Sequence, residues 1–241
     1  MKVTLHRRRF LEGLGKSGAA LMAGSCLSRV GYAAAGPGPA RAVINGSRYR
    51  AELDRRLLGA FLEHLGRAIY TGVYEPGSKL ADRRGFRTDV IAEIKALGVP
   101  IMRYPGGNFV SGYNWLDGVG PKDRRPTVLE RAWNSIETNQ FGTNEFIEWC
   151  KLVGTEPLLA FNLGTGTPEQ GVAYVEYCNV PKGTKWSELR REHGYEQPHA
   201  VRYWCLGNEM DGPWQMGHMT AREYGRKARD AARQIRVVHL R

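Results

Sequence analysis

Apolar residues gather in short, nearly continuous runs at 57–65, 99–104, 157–162 and 201–206, each followed by glycine, proline or asparagine. Runs of this length suit strands buried on both faces. Between and after them the spacing shifts to three and four residues. At 88–97, Val90, Ile91, Ile94 and Leu97 share one helical face, and at 144–153 Phe146, Ile147 and residues 149–152 form another. A third helix is predicted over 168–177, with Thr167 as N-cap, Pro168 at the first helical position and Gln170 completing a capping box. A fourth is predicted over 221–235, where Thr220 precedes Glu223 by three residues in the same device.

The predicted order, β-α-β-α-β-α-β-α, implies parallel strands joined by right-handed crossovers. The expected fold class is α/β of the (β/α)8 TIM-barrel type, with about the first four β/α units present; a full barrel takes about 250 residues. A long excursion at 111–142 follows the second strand. No Gly-x-Gly-x-x-Gly follows the first, so a dinucleotide-binding sheet has no support there.

The first 35 residues read separately. Arg7-Arg8-Arg9-Phe10-Leu11 precede a mildly apolar stretch to Leu27, and Tyr32-Ala33-Ala34-Ala35 offers small residues for cleavage. This resembles a twin-arginine export signal and sets the expectation of a periplasmic or extracellular location. The stretch is too short and polar for stable membrane insertion. Residues 36–50 are expected to be a linker and 51–241 a partial catalytic barrel.

Composition changes this picture little. The 241 residues carry a formal charge of +11, but six of the 35 Lys and Arg and one of the 24 Asp and Glu fall in residues 1–35, leaving 29 against 23, or +6. The rest look scattered along the sequence, without stacking aromatics, which argues against nucleic acid as a partner. Cys26, Cys150, Cys178 and Cys205 lack C-x-x-C spacing and read as structural thiols. No metal or cofactor is implied: His64 and His218 have no ligand-like spacing, and no Gly-x-Ser-x-Gly elbow occurs.

Carboxyl ends of parallel strands form the active face in such folds. Glu63 and His64 end the first strand; Arg103 and Pro105-Gly106-Gly107-Asn108 end the second. Asn162 ends the third, and Asn208-Glu209 the fourth. Carboxylates, amides and a guanidinium suit a polyhydroxylated ligand. Glu209 is a candidate general acid if Trp204 or Trp214 half-buries it. Each residue also has a plainer reading: a helix cap for Glu209, or a structural salt bridge between Arg103 and Glu63. Trp115, Trp133, Trp204 and Trp214 are candidates for stacking on sugar rings or for the core.

The stretches 61–67 (Phe-Leu-Glu-His-Leu-Gly-Arg), 103–108 (Arg-Tyr-Pro-Gly-Gly-Asn) and 204–214 (Trp-Cys-Leu-Gly-Asn-Glu-Met-Asp-Gly-Pro-Trp) closely resemble family 51 glycoside hydrolases, dominated by α-L-arabinofuranosidases. The resemblance implies a retaining hydrolase of terminal α-L-arabinofuranosyl residues of arabinan or arabinoxylan. It makes Glu209 the acid/base catalyst and Glu63, Arg103, Asn108 and Asn208 substrate-binding. Arg103 would also orient the nucleophile. That nucleophile is expected on a seventh strand and a β-sandwich domain beyond it; neither is found in these 241 residues. The expectation is therefore an inactive, aggregation-prone fragment of an enzyme whose full-length form is a possible homo-oligomer. The alternatives are an endo-β-glucanase or xylanase of the same clan, and a non-catalytic carbohydrate-binding remnant.

Overall fold

The first apolar run divides at Gly59 in the computed structural model, which describes residues 45–48 and 51–239. Asp54 accepts from the backbone N–H of Arg56 and caps a 3-10 turn, Arg55–Leu58, so Leu57 and Leu58 are exposed rather than paired. Only Ala60–Phe61 remains as strand β1. The expected strand at 57–65 is thus much shorter, because a local side-chain cap outcompetes the sheet.

The other strands and the helices follow in the predicted order. Helix α1 is Thr88–Leu97 and strand β2 Ile101–Tyr104. The excursion at 111–142 holds a small antiparallel hairpin, β3 (Val128–Glu130) and β4 (Ser135–Glu137), which the sequence reading missed. Each arm has only three residues. Its turn is fixed by the Glu130 carboxylate, which accepts from the backbone N–H groups of Ala132 (2.6 Å) and Trp133 (2.7 Å). Helix α2 (Thr143–Val153), strand β5 (Glu156–Phe161) and helix α3 (Pro168–Asn179) come next. The capping box on α3 is made: Gln170 N donates to Thr167 Oγ1 at 3.3 Å, and Thr167 N donates to Gln170 Oε1 at 2.9 Å. An unpredicted helix α4, Lys185–Glu192, has only Trp186 and Leu189 as apolar residues and so carries no stripe. Strand β6 (Tyr203–Leu206) and helix α5 (Ala221–His239) complete the described chain.

Four strands form one parallel sheet in the order β1-β2-β5-β6, with helices in the crossovers, as in the opening units of a (β/α)8 barrel. The period of two divides its faces. Met102, Tyr104, Leu159, Phe161, Trp204 and Leu206 point into the core shared with the helices. Phe61, Arg103, Leu158 and Tyr203 lie in register on the other face, and none of these four is fully buried. Ile101 and Ala160 on that second face are buried, so the expectation of two buried faces is met only in part among the described residues, and the covering is uneven.

Cys150 and Cys178 are buried free thiols and Cys205 is partly covered. The proposed address at 1–35 and most of the linker at 36–50 lie outside the described residues. Among those described, no helix is long and apolar enough to cross a membrane.

Candidate active site

The ends of β1, β2 and β6 meet around Gly107. A Cβ placed on that residue would lie 3.5 Å from Glu63 Oε1 and 3.5 Å from Asn208 Nδ2. Neighbouring Gly106 leaves no room for a side chain, since its Cβ would sit 2.6 Å from Glu63 Cγ. The two glycines let the loop after β2 press against Glu63, which is why this turn tolerates no larger residue at position 106.

Glu63 is buried, and its Oε1 accepts from the backbone N–H of Phe109 (3.1 Å) and from Trp133 Nε1 (3.2 Å). Trp133 stands in the turn of the β3–β4 hairpin, so the excursion reaches back to the strand ends. Arg103 donates from Nη2 to Asn208 Oδ1 at 2.8 Å, and its guanidinium lies 4.9 Å from the Phe61 ring centre. The salt bridge between Arg103 and Glu63 held open by the sequence is not made. Instead Arg103 Nε is buried without a hydrogen-bond partner among the described residues. Burial pushes the neighbouring Cys205 thiol up, against the pull of this guanidinium.

Asn108 accepts at Oδ1 from Gln215 Nε2 (2.5 Å) and, at 3.5 Å, from Asn208 Nδ2. Gln215 is buried and in turn accepts from Ser111 Oγ at 2.9 Å. Arg103, Asn208, Asn108 and Gln215 thus form one chain of hydrogen bonds joining the loops after β2 and β6. Gln215 was not picked out in the sequence, although it directly follows the 204–214 motif.

Glu209 is exposed and held in the left-handed region at φ 45°. A non-glycine residue at such an angle is uncommon and clusters at functional sites. Its Oε2 accepts from Trp214 Nε1 at 3.4 Å. The half-burial expected beside Trp204 or Trp214 is not found: Trp204 points to the opposite face and stacks on Phe161 at 4.8 Å, while Trp214 touches Glu209 but is itself exposed. Asn162 accepts from Thr165 N (3.0 Å) and Gly166 N (3.1 Å) in its own loop and donates from Nδ2 to Tyr113 O (3.0 Å) in the excursion after β2.

Beneath the rim lies a second layer not foreseen from the sequence. His64 Nδ1 is 2.7 Å from Glu137 Oε2 and its Nε2 is 2.9 Å from the Tyr104 hydroxyl, both buried. The imidazole stacks on Phe109 at 4.4 Å. Glu137 also accepts from Tyr70 and from Asn139 N. Burial alone would raise the Glu137 carboxyl, yet these bonds, His64 first, hold it below the usual range. Glu137 ends β4, so this pair ties the hairpin that carries Trp133 to the strand end that carries Glu63.

Residues 93–236 match the family model described as the Alpha-L-arabinofuranosidase 1 domain. The intracellular exo-α-(1→5)-L-arabinofuranosidase 1 of Bacillus subtilis is 56% identical over 199 residues, covering 83% of this chain and 40% of the relative. The intracellular exo-α-(1→5)-L-arabinofuranosidase of Halalkalibacterium halodurans is 55% identical over 196 residues, covering 81% and 39%. The solved α-L-arabinofuranosidase of Thermotoga maritima in its arabinose complex is 52% identical with a TM-score of 0.74, over 75% of this chain and 37% of that one. The chain thus spans about 40% of the length of the curated relatives it matches. These relatives correct one expectation. Both bacterial enzymes are named intracellular, which conflicts with the periplasmic or extracellular location read from the arginine-rich start. That reading rested on a short basic and glycine- and alanine-rich composition, a pattern with little chemical specificity. With the fold and a family match over more than half of its length in agreement, the chain belongs to the α-L-arabinofuranosidases of glycoside hydrolase family 51.

Proposed function

We propose that residues 51–241 are part of a (β/α)8 catalytic barrel that removes terminal α-L-arabinofuranosyl residues from arabinan or arabinoxylan with retention of configuration. The observation that carries this reading is the convergence of Glu63, Arg103, Asn108 and Asn208 around Gly107, beside a Glu209 held at positive φ. In this reading Glu209 is the acid/base: it protonates the departing glycosidic oxygen, then takes a proton from the attacking water. Trp214 steadies its carboxylate. The Arg103 bond to Asn208 Oδ1 leaves the Asn208 amide turned to donate, which suits the sugar hydroxyl next to the anomeric carbon. Glu63 and Asn108 hold further hydroxyls.

Retention requires a second carboxylate about 5–5.5 Å from the first, free to attack the anomeric carbon. Glu63 does not fit that task, since it is buried and engaged by Phe109 and Trp133. The unpartnered Nε of Arg103 is suited to such a carboxylate. The 241-residue chain by itself is therefore expected to bind the sugar and not to turn it over.

The test is hydrolysis of an aryl α-L-arabinofuranoside by this chain beside Glu209→Ala, with an L-arabinose titration read by tryptophan fluorescence. Saturable binding lost in Glu63→Ala, with turnover no higher than in Glu209→Ala, is the expected result. Turnover abolished by Glu209→Ala would keep the acid/base role and reject the incomplete site. No saturable signal would reject the sugar-binding rim.

A further inference from the structure

Helix α5 gathers on one face a set of charges that look scattered in the sequence. Arg222, Arg226, Arg229, Arg233 and Arg236 are all exposed and recur every three or four residues. They form a stripe on the side opposite Tyr224, Ala228, Ala231 and Ile235, which pack into the core. At 1.5 Å per residue the stripe is about 21 Å long. Two carboxylates lie on the helix: Glu223 is held by Thr220 at the N-cap, within the field of Arg226, and Asp230 pairs with Arg229. Arg222, Arg226, Arg233 and Arg236 have no ion pair among the described residues.

Five guanidinium groups lined up toward solvent repel one another, and the two carboxylates on the helix offset only part of that charge. We propose that this stripe is a docking surface for an acidic polysaccharide that bears uronate carboxylates along its chain. The fork of arginine matches a carboxylate with two parallel hydrogen bonds, which a row of lysines would not do. No aromatic residue interrupts the row, and Val237 at its end is the one large apolar residue exposed beside it among the described residues. That omits the stacking platforms single-stranded nucleic acid uses and the anchors a protein interface uses. The choice of a carbohydrate polyanion rests on the sugar-binding reading of the rim; the anion-binding stripe itself does not.

The experiment measures retardation of the 241-residue chain in native gels containing polygalacturonate, neutral arabinan or duplex DNA, at low and at physiological salt. It compares wild type with the triple variant Arg226→Gln, Arg229→Gln, Arg233→Gln, and with the corresponding triple Lys variant. All three side chains are exposed and glutamine keeps helix propensity, so circular dichroism should be unchanged. Expected are retardation by polygalacturonate, weakening at higher salt, an apparent affinity at least tenfold lower in the Gln variant and an intermediate one in the Lys variant. Arabinan retardation should be the same in all three proteins. The proposal falls if polygalacturonate does not retard wild type, if the Gln variant binds as well, or if duplex DNA binds more tightly. Loss of arabinan binding alone would instead count against the rim.

Discussion

Arg190 has no exposed surface and no ion pair among the described residues. Its guanidinium donates instead to five backbone carbonyls, those of Tyr177, Val180, Pro181, Tyr195 and Glu196, at 2.6 to 3.3 Å. Two of these belong to the last residues of α3 and its C-cap, whose carbonyls have no partner inside the helix. Arg190→Met would fill the space and leave these acceptors without donors. Each buried acceptor left unpaired costs about 1–3 kcal/mol, and water reaches some of them, so a loss of roughly 3 kcal/mol is expected in urea unfolding. A loss below about 1 kcal/mol would mean that solvent replaces the side chain. Nothing in the sequence singles out Arg190 from the six residues around it, because its partners are carbonyls, which every residue has. The rim residues were legible for the opposite reason. Glu63 and Arg103 interrupt apolar runs near their ends, and Asn108, Asn208 and Glu209 follow such runs within a few residues, where polarity has no packing explanation. Gln215 and Glu137 escaped notice because their partners lie about a hundred and about seventy residues away in sequence.

At the scale of elements, the four helices with an apolar stripe or a capping box were found within a few residues. The β3–β4 hairpin has neither, and helix α4 has no apolar stripe and closes its capping box with Ser187, where the usual signal is Glu or Gln three residues after the cap; neither was found. The segment between α4 and β6 is also irregular, and it is docked largely through side chains. His199 donates its backbone N–H to Cys178 O at 2.7 Å, and its Nε2 meets Asn144 Oδ1 at 2.8 Å; Asn144 Nδ2 then donates to the Tyr177 hydroxyl at 2.8 Å. One imidazole thus joins α2, α3 and the approach to β6. Burial, with Lys151 and Arg190 nearby, pulls His199 down to about 3 from its ordinary value of 6.5. A depressed folded-state value means that the unfolded chain takes up the proton first. Stability is therefore complete above pH 6.5 and is lost as pH falls from there toward 3. The slope is about 1.4 kcal/mol per pH unit, or about 2 kcal/mol between pH 6.5 and 5. His199→Gln keeps a donor for Asn144 and cannot titrate. Urea midpoints for the variant should fall less steeply over this interval by that amount, and parallel curves for both proteins would show that His199 is protonated without cost.

For the whole molecule, the decisive feature is the uneven covering of its sheet. On the helix side Tyr104, Leu159 and Phe161 are buried, whereas on the opposite side Phe61 is 48% exposed and Arg103, Leu158, Tyr203 and Cys205 are only partly covered. Strands β1 and β6 each have one strand neighbour among the described residues, so backbone donors and acceptors line both edges. Arg56 partly shields this side, stacking over the Tyr203 ring at 5.1 Å. Open parallel edges next to apolar side chains template pairing with another chain, and proteins that remain monomeric cover or charge such edges. The 241-residue chain is accordingly expected to self-associate: its weight-average mass in sedimentation equilibrium should rise across the micromolar range. Replacing the most exposed apolar group on the open face, Phe61→Lys, should shift that rise to higher concentration. It also removes the ring beneath Arg103, so L-arabinose affinity should fall with it. A monodisperse monomer throughout, with unchanged affinity in Phe61→Lys, would show that the open face is adequately solvated as it stands and that Arg103 holds its position through Asn208 alone.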